Sequence, residues 1–162
     1  MEFVHNLSEE ERALVGEIIL NWGGVDYLLG QALVMDYGLQ GNVSANGDLI
    51  YALDLRKKVQ YLTKNVKKHG VTGHATTVLK LLAKACEDWA QDRNHLAHGV
   101  SYEGLDGEKG IFSPRRSPMI YSEDLPKLLA RSKYLADLAL RLHLTALPNP
   151  DIEQGPLPDR PE

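Results

Sequence analysis

The sequence predicts an all-α protein, an up-and-down bundle of four main helices with a small hairpin-like insertion after the third helix. Four long stretches carry apolar residues at helical spacing, and turn-forming residues separate them. Short β-like pieces occur between the third and fourth stretches. With 162 residues, 43% of them hydrophobic and 25% charged, the chain has the length and composition of one globular domain.

The first helix is predicted to begin after Ser8, because Ser8 and Glu11 have the spacing of a capping box. Its apolar stripe runs from Leu14 to Leu33. Three glycines recur at intervals of seven along one side of it: Gly16, Gly23 and Gly30. Each costs a helix about 0.5–1 kcal/mol relative to alanine, so we expect another helix backbone, from this chain or a partner chain, to approach that side closely.

Three further helices follow from the same apolar periodicity. Their predicted ranges are 49–69, about 74–98 and 122–147. Asp48 is the predicted N-cap of the second helix and Gly70 its stop. Pro126 is tolerated because it lies in the first turn of the fourth helix. Helices of this length with short connections favour a bundle.

The insertion and the end of the chain are predicted to lie outside the helices. Residues 99–121 are predicted to form a small hairpin or an irregular excursion, with a stiff basic loop at 114–118. Residues 148–162 contain five of the eight prolines and four acidic residues, so we expect an extended or disordered tail outside the fold. The predicted helical domain therefore covers residues 1–147.

Composition excludes several classes of protein. The single cysteine, Cys86, rules out an intrachain disulfide and suits a reducing compartment. No apolar run approaches the length of about 18 residues that a membrane span needs, and the first residues lack the pattern of a signal peptide, so a cytoplasmic protein without membrane contact is expected. The sequence has no phosphate-binding loop or dinucleotide fingerprint, and no cofactor is predicted.

The formal net charge of −4 conceals a segregation of charge along the chain. Residues 1–37 carry seven acidic residues against one basic residue, whereas residues 49–69 carry six basic residues against one acidic residue. We expect Arg56 and Lys57, together with Arg115 and Arg116 of the insertion, to attract an RNA backbone electrostatically. Ordinary solvated helix faces explain the same residues without RNA.

The most informative segment lies at the end of the third helix and contains Arg93, Asn94 and His98. Arg93 falls on the apolar stripe, where a permanent cation needs a carboxylate, a cleft or a subunit interface. Histidine titrates near neutral pH, so an arginine and a histidine together suit phosphodiester chemistry: the arginine holds the phosphate and the histidine moves a proton. Asn94 and His98 are one helical turn apart, so Asn94 is placed to orient the imidazole or the phosphate.

The segment from Arg93 to His98 resembles the R-x(4–6)-H motif of the HEPN superfamily, in the form with asparagine directly after arginine. The resemblance implies a metal-independent endoribonuclease that works as a homodimer, with Arg93, Asn94 and His98 as its site. It also implies attack by a ribose 2′-hydroxyl, with RNA as substrate. A toxin of a toxin–antitoxin or antiviral system, with an antitoxin or regulatory protein as partner, is the implied biological role.

Other interpretations of the same residues stay open. A catalytically silent HEPN-like module for RNA binding or protein interaction has the same motif and fold. Arg93 could pair with Glu17 or Asp26 of the first helix while His98 caps its own helix. Three residues have the spacing of helix-borne metal ligands: Asp92, His95 and His98. A di-iron bundle site also needs a second such motif and two further glutamates, which the sequence lacks, so no metal is predicted.

Overall fold

A computed structural model describes residues 7–36, 51–68, 70, 73–113, 116–148 and 155–162. It is mostly helical, with four main helices and a small antiparallel sheet. The helices are α1 (Glu9–Gln31), α2 (Leu55–Lys68), α3 (His74–His98) and α4 (Leu125–Arg141). The strands are β1 (Val100–Glu103), β2 (Lys109–Ser113) and β3 (Arg116–Tyr121). The prediction of a mostly helical chain with four main helices is therefore confirmed, whereas the all-α class is not, because the chain also contains a sheet.

The start of α1 is capped as predicted. The Glu11 amide donates to Ser8 Oγ at 3.1 Å, and the Ser8 amide donates to Glu11 Oε2 at 2.6 Å. The bond from the Ser8 amide is the main reason that the pKa of the Glu11 carboxyl lies below its ordinary value. A π-helical turn, Ala32–Asp36, continues the helix, and a second one, Leu142–Ala146, continues α4.

The predicted second helix, 49–69, is interrupted at residues 52–54, and α2 begins at Leu55. Asp54 caps it, since Asp54 Oδ1 accepts from the Lys57 amide at 2.8 Å and the Asp54 carbonyl accepts from the Lys58 amide at 3.1 Å. The predicted cap, Asp48, lies outside the described residues.

The insertion after α3 contains a three-stranded sheet in the order β1-β2-β3. The predicted hairpin therefore lacks one strand, and part of the predicted basic loop belongs to β3. The sequence did not predict β3, because Pro118 argues against a strand there. Proline supplies no amide hydrogen, but β3 is an edge strand and tolerates this. Gly99 connects α3 to β1, where a Cβ would lie 2.3 Å from Ile111 Cγ2 and 2.4 Å from the His95 carbonyl oxygen.

One core joins the four helices and the sheet. α1 packs most extensively on α4, while α3 contacts α1, α2 and α4. Fully buried residues come from each helix: Val25, Leu29, Leu62, Leu82, Leu135 and Leu138. Cys86 is buried among them, and burial raises the pKa of its thiol to about 12, so it is an unreactive packing residue. No helix among the described residues is long and apolar enough to cross a membrane.

Within this chain, the described residues place no other helix backbone against the three glycines of α1. Among the described residues, nothing lies within 4 Å of a Cβ built on Gly16 or Gly23. At Gly30 the neighbour is a side chain instead of a backbone, because a Cβ there would lie 2.8 Å from Tyr51 Cδ1. Gly30 therefore seats the ring of Tyr51 against α1.

The end of the chain packs on the bundle, so the prediction of a tail outside the fold is wrong for residues 155–162. The Arg160 guanidinium lies 4.7 Å from the Trp89 ring centroid and also pairs with Asp88. Arg131 and Arg141 donate hydrogen bonds to main-chain oxygens of this segment. Bonds from Lys84 and Arg160 lower the pKa of Asp88, so the carboxylate stays ionised and this contact is lost only as the pH falls through that depressed pKa.

Arg160→Ala should loosen the tail and let water reach Trp89. We expect a red shift of tryptophan emission and a fall in Tm of about 2–4 °C, because a cation over an aromatic ring contributes about 0.5–1 kcal/mol. Fluorescence and thermal unfolding measure both effects. Asp159→Ala, at an exposed neighbouring position, is the control and should change neither. Identical emission spectra for Arg160→Ala and the wild type would contradict the packed tail.

Candidate functional site

Arg93 and Asn94 border an open cavity of about 450 Å³ between α1, the start of α2 and α3, here called the Arg93 cavity. α3 contributes Ala90, Arg93 and Asn94, and α1 contributes Trp22 and Asp26. The rest of the lining comes from Tyr51, Ala52, Leu53, Asp54, Leu55 and Arg56. Two predicted site residues and one predicted RNA-binding residue, Arg56, therefore share one cavity.

Arg93 is exposed, and its guanidinium is not neutralised by either predicted acid. Glu17 Oε1 lies 2.9 Å from Lys133 Nζ, and Asp26 Oδ1 lies 2.9 Å from Lys58 Nζ. Within the described part of the chain, Arg93 forms no ion pair, and its side-chain hydrogen bond goes from Nη1 to Asn94 Oδ1 at 3.3 Å. The interpretation of Arg93 as a structural partner of Glu17 or Asp26 is therefore not supported, and its charge is available to a ligand.

Lys58 is the residue that holds Asp26. Only 1% of its side chain is exposed, against 39% for Asp26. Its ammonium also donates to the carbonyl oxygens of Tyr51, at 3.1 Å, and of Asp26, at 3.3 Å. A buried cation is tolerable when it is paired and hydrogen-bonded in this way. Lys58 thus ties α2 to α1 and to the segment before α2, which together form one wall of the cavity.

Tyr51 is fixed in that wall from several sides. Its ring stacks on Tyr27 with centroids 5.9 Å apart, and Gln31 Nε2 donates to its hydroxyl oxygen at 2.6 Å. Desolvation, with the neighbouring Tyr27 phenol, raises the pKa of Tyr51, so the hydroxyl stays protonated. Tyr51 is therefore held in place by these contacts and adds no charge to the wall of the cavity.

The four predicted RNA-binding residues do not act as one group. Arg56 is exposed and lines the Arg93 cavity, whereas Lys57 lies outside its lining and 3.7 Å from Asp54 Oδ2. Arg116 is the first residue of β3, and Arg115 lies outside the described residues. Of the four, Arg56 is the residue that the structure brings beside Arg93.

His98 is the last residue of α3 and is exposed, but it does not line the cavity. The backbone becomes extended only at Gly99, so His98 keeps its helical direction, about 140° around the axis from Arg93. Within this part of the chain, no turn before Gly99 redirects His98 toward Arg93. Asn94 and His98 share a face, as predicted, one turn apart.

Asp92 and His95 face a different cavity, of about 280 Å³, on the side of α3 toward β3 and α4. Asp92 Oδ2 accepts from Arg131 Nη1 at 3.0 Å, and burial raises the pKa of Asp92 although Arg131 opposes this. His95 is buried, with Nδ1 3.0 Å from the Gln91 carbonyl oxygen. Asp92 and His95 thus share a cavity that His98 does not line. The described residues contain no group of three or more His, Cys, Asp or Glu side chains that could hold a metal ion.

No protein-family model, curated protein or solved structure matches the chain. The functional interpretation therefore depends on the geometry of α3 and the Arg93 cavity.

Sequence reasoning missed Lys58, Tyr51 and Trp22 as parts of the site. A signal for Lys58 was present, because it lies three residues after Leu55 and four before Leu62, at the edge of the apolar stripe of α2. Asp26 lies correspondingly between the buried positions of α1. Opposite charges on the inner faces of two adjacent helices predict a buried pair.

The ion pair should be energetically asymmetric. Asp26→Ala leaves the Lys58 ammonium buried without its carboxylate, at a cost of about 3–5 kcal/mol. Lys58→Met leaves a carboxylate that water can reach and two carbonyl groups without a donor, at a cost of about 1–3 kcal/mol. Urea unfolding measures the difference, with Lys64→Met, at an exposed position on α2, expected within about 0.5 kcal/mol of the wild type. An equal or larger loss for Lys58→Met would contradict the asymmetry.

Proposed function

We propose that this protein is a metal-independent endoribonuclease of the HEPN type, acting in the cytoplasm as a homodimer. The observation that carries the proposal is the state of Arg93, an exposed guanidinium that borders a cavity and pairs with no carboxylate among the described residues. Arginine in that state suits a phosphate, which it binds through two parallel hydrogen bonds. The motif with Asn94 and His98 supplies a proton-transfer group on the same helix.

The proposed reaction is a transesterification within the RNA strand. The ribose 2′-oxygen forms a bond to phosphorus while the bond from phosphorus to the 5′-oxygen breaks, which gives a 2′,3′-cyclic phosphate and a 5′-hydroxyl. Arg93 stabilises the extra charge on the phosphoryl oxygens in the transition state. His98 accepts the proton of the 2′-hydroxyl or donates a proton to the leaving oxygen. DNA lacks the nucleophile and is not cleaved.

The placement of the two motif residues supports the proposed homodimer. In-line attack puts the entering and leaving oxygens on opposite sides of phosphorus, so one imidazole cannot serve both in a single step. Within one chain, Arg93 and His98 also point in directions about 140° apart around α3. A second copy related by a two-fold axis would add another Arg93 and His98 at the same phosphate.

Purified protein should cleave labelled RNA in the presence of a chelator and leave cyclic-phosphate ends. Arg93→Ala and His98→Ala should each lower the rate at least about 100-fold, because each removes a charge-stabilising or proton-transfer group. Lys80→Ala, at an exposed position on the same helix, is the matched control and should keep the rate. DNA of the same sequence should stay intact.

Intact RNA at high concentrations of folded protein would contradict the nuclease. The separation of Arg93 from His98 in one chain would then favour a catalytically silent HEPN-like module for RNA binding or protein interaction. The toxin role, with an antitoxin or regulatory protein as partner, rests on the resemblance and has its own test. Expression of the wild type should arrest growth, and Arg93→Ala should relieve the arrest.

A further inference from the structure

The charges around the Arg93 cavity leave a surplus of two guanidinium groups. Its lining contains the acids Asp26 and Asp54, and the bases Arg56 and Arg93. Each acid is matched by a lysine from outside the lining. Lys58 Nζ lies 2.9 Å from Asp26 Oδ1, and Lys57 Nζ lies 3.7 Å from Asp54 Oδ2. Neither arginine forms an ion pair within the described ranges, so the cavity presents two unmatched cations to solvent.

The two arginines belong to separate walls. Arg56 lies in the first turn of α2, and Arg93 lies near the end of α3. The ion pair of Lys58 and the packing of Tyr51 against Gly30 hold the wall before α2 in place. Two cations on separate, fixed elements suit two anionic groups on one ligand.

Apart from Asn94, the rest of the lining is apolar or aromatic. Trp22, Leu53 and Ala90 contribute to it, and Tyr51 adds an aromatic ring. The volume of about 450 Å³ lies within the range of small-molecule sites. A ligand with a flat ring system, a sugar and a phosphate at each end satisfies the shape, the apolar walls and the two cations together. One nucleotide of a nucleic-acid strand, together with the phosphate of its neighbour, is a ligand of this kind.

We propose that the Arg93 cavity binds one nucleotide of the RNA substrate, with Arg93 on the scissile phosphate and Arg56 on the neighbouring phosphate. The inference rests on the proposed function and adds to it a substrate-binding residue and a subsite. Arg56 has no role in proton transfer; it fixes the strand so that the scissile phosphate lies at Arg93.

Binding of an uncleavable RNA tests the role of Arg56. The probe is a fluorescent oligoribonucleotide with a methoxy group at each 2′-position, and anisotropy gives Kd as a function of salt. Arg56→Gln should raise Kd about tenfold and reduce the salt slope by about 1, because one phosphate contact is lost. Lys64→Gln makes the same change of charge at an exposed position on the same helix and should raise Kd less than about threefold. Equal losses for the two variants would overturn the proposal.

Small nucleotides test whether two phosphates are bound. A ribonucleoside 3′,5′-bisphosphate carries one nucleoside between two phosphates and should displace the labelled RNA at a concentration about tenfold below that of the 5′-monophosphate. Arg56→Gln should remove most of this preference, and Lys64→Gln should keep it. Equal displacement by the two nucleotides, or a preference that survives in Arg56→Gln, would overturn the two-phosphate subsite.

The outcomes separate this inference from the proposed function. RNA cleavage that depends on Arg93 and His98, with KM the same in Arg56→Gln and the wild type, would contradict the subsite and leave the nuclease standing. Binding of the bisphosphate that depends on Arg56, with RNA left intact, would support the subsite and contradict the nuclease. When both hold, the loss in Arg56→Gln should fall on KM more than on kcat.

Discussion

The ion pair between the buried Lys58 and the partly exposed Asp26 is the interaction on which the site depends. It places a lysine ammonium in the interior, where a charge is costly unless it is paired, and it satisfies the remaining donors with two carbonyl groups. The same contacts connect three pieces of the chain that line the Arg93 cavity. They also occupy Asp26, the acid that could otherwise have neutralised Arg93. Lys58 therefore both stabilises the packing around the cavity and keeps Asp26 from pairing with Arg93.

The end of α3 sets the second constraint. Gly99 allows the chain to leave the helix beside Ile111, and the helix remains regular up to His98. As a result, neighbouring residues of the motif face different surroundings: Arg93 and Asn94 the cavity, Asp92 and His95 the side toward β3 and α4. A regular helix separates these groups by angle alone, and in the proposed nuclease a second copy of the chain brings Arg93 and His98 to one phosphate.

Sequence reasoning succeeded where local chemistry decides the structure. The capping box at Ser8 and the bounds of α3 depend on residues close in sequence, and so does the position of Arg93 near a helix end. It failed where distant contacts decide. Arg160 packs on Trp89, so the proline-rich end does not stay outside the fold as its composition suggested. The sequence did not predict the role of Lys58, because its partners lie 32 and 7 residues away in the chain.

The most direct measurement follows the arginine side chains of the full protein by NMR during titration with the 2′-methoxy RNA. A free guanidinium that takes up a phosphate should show a changed Nε–H resonance, so the Arg93 signal should shift and saturate with the Kd of the RNA. Lys58→Met should diminish that shift because the released Asp26 competes for Arg93. An Arg93 signal that stays unchanged while the RNA binds would contradict the central claim that this guanidinium is held available for a phosphate.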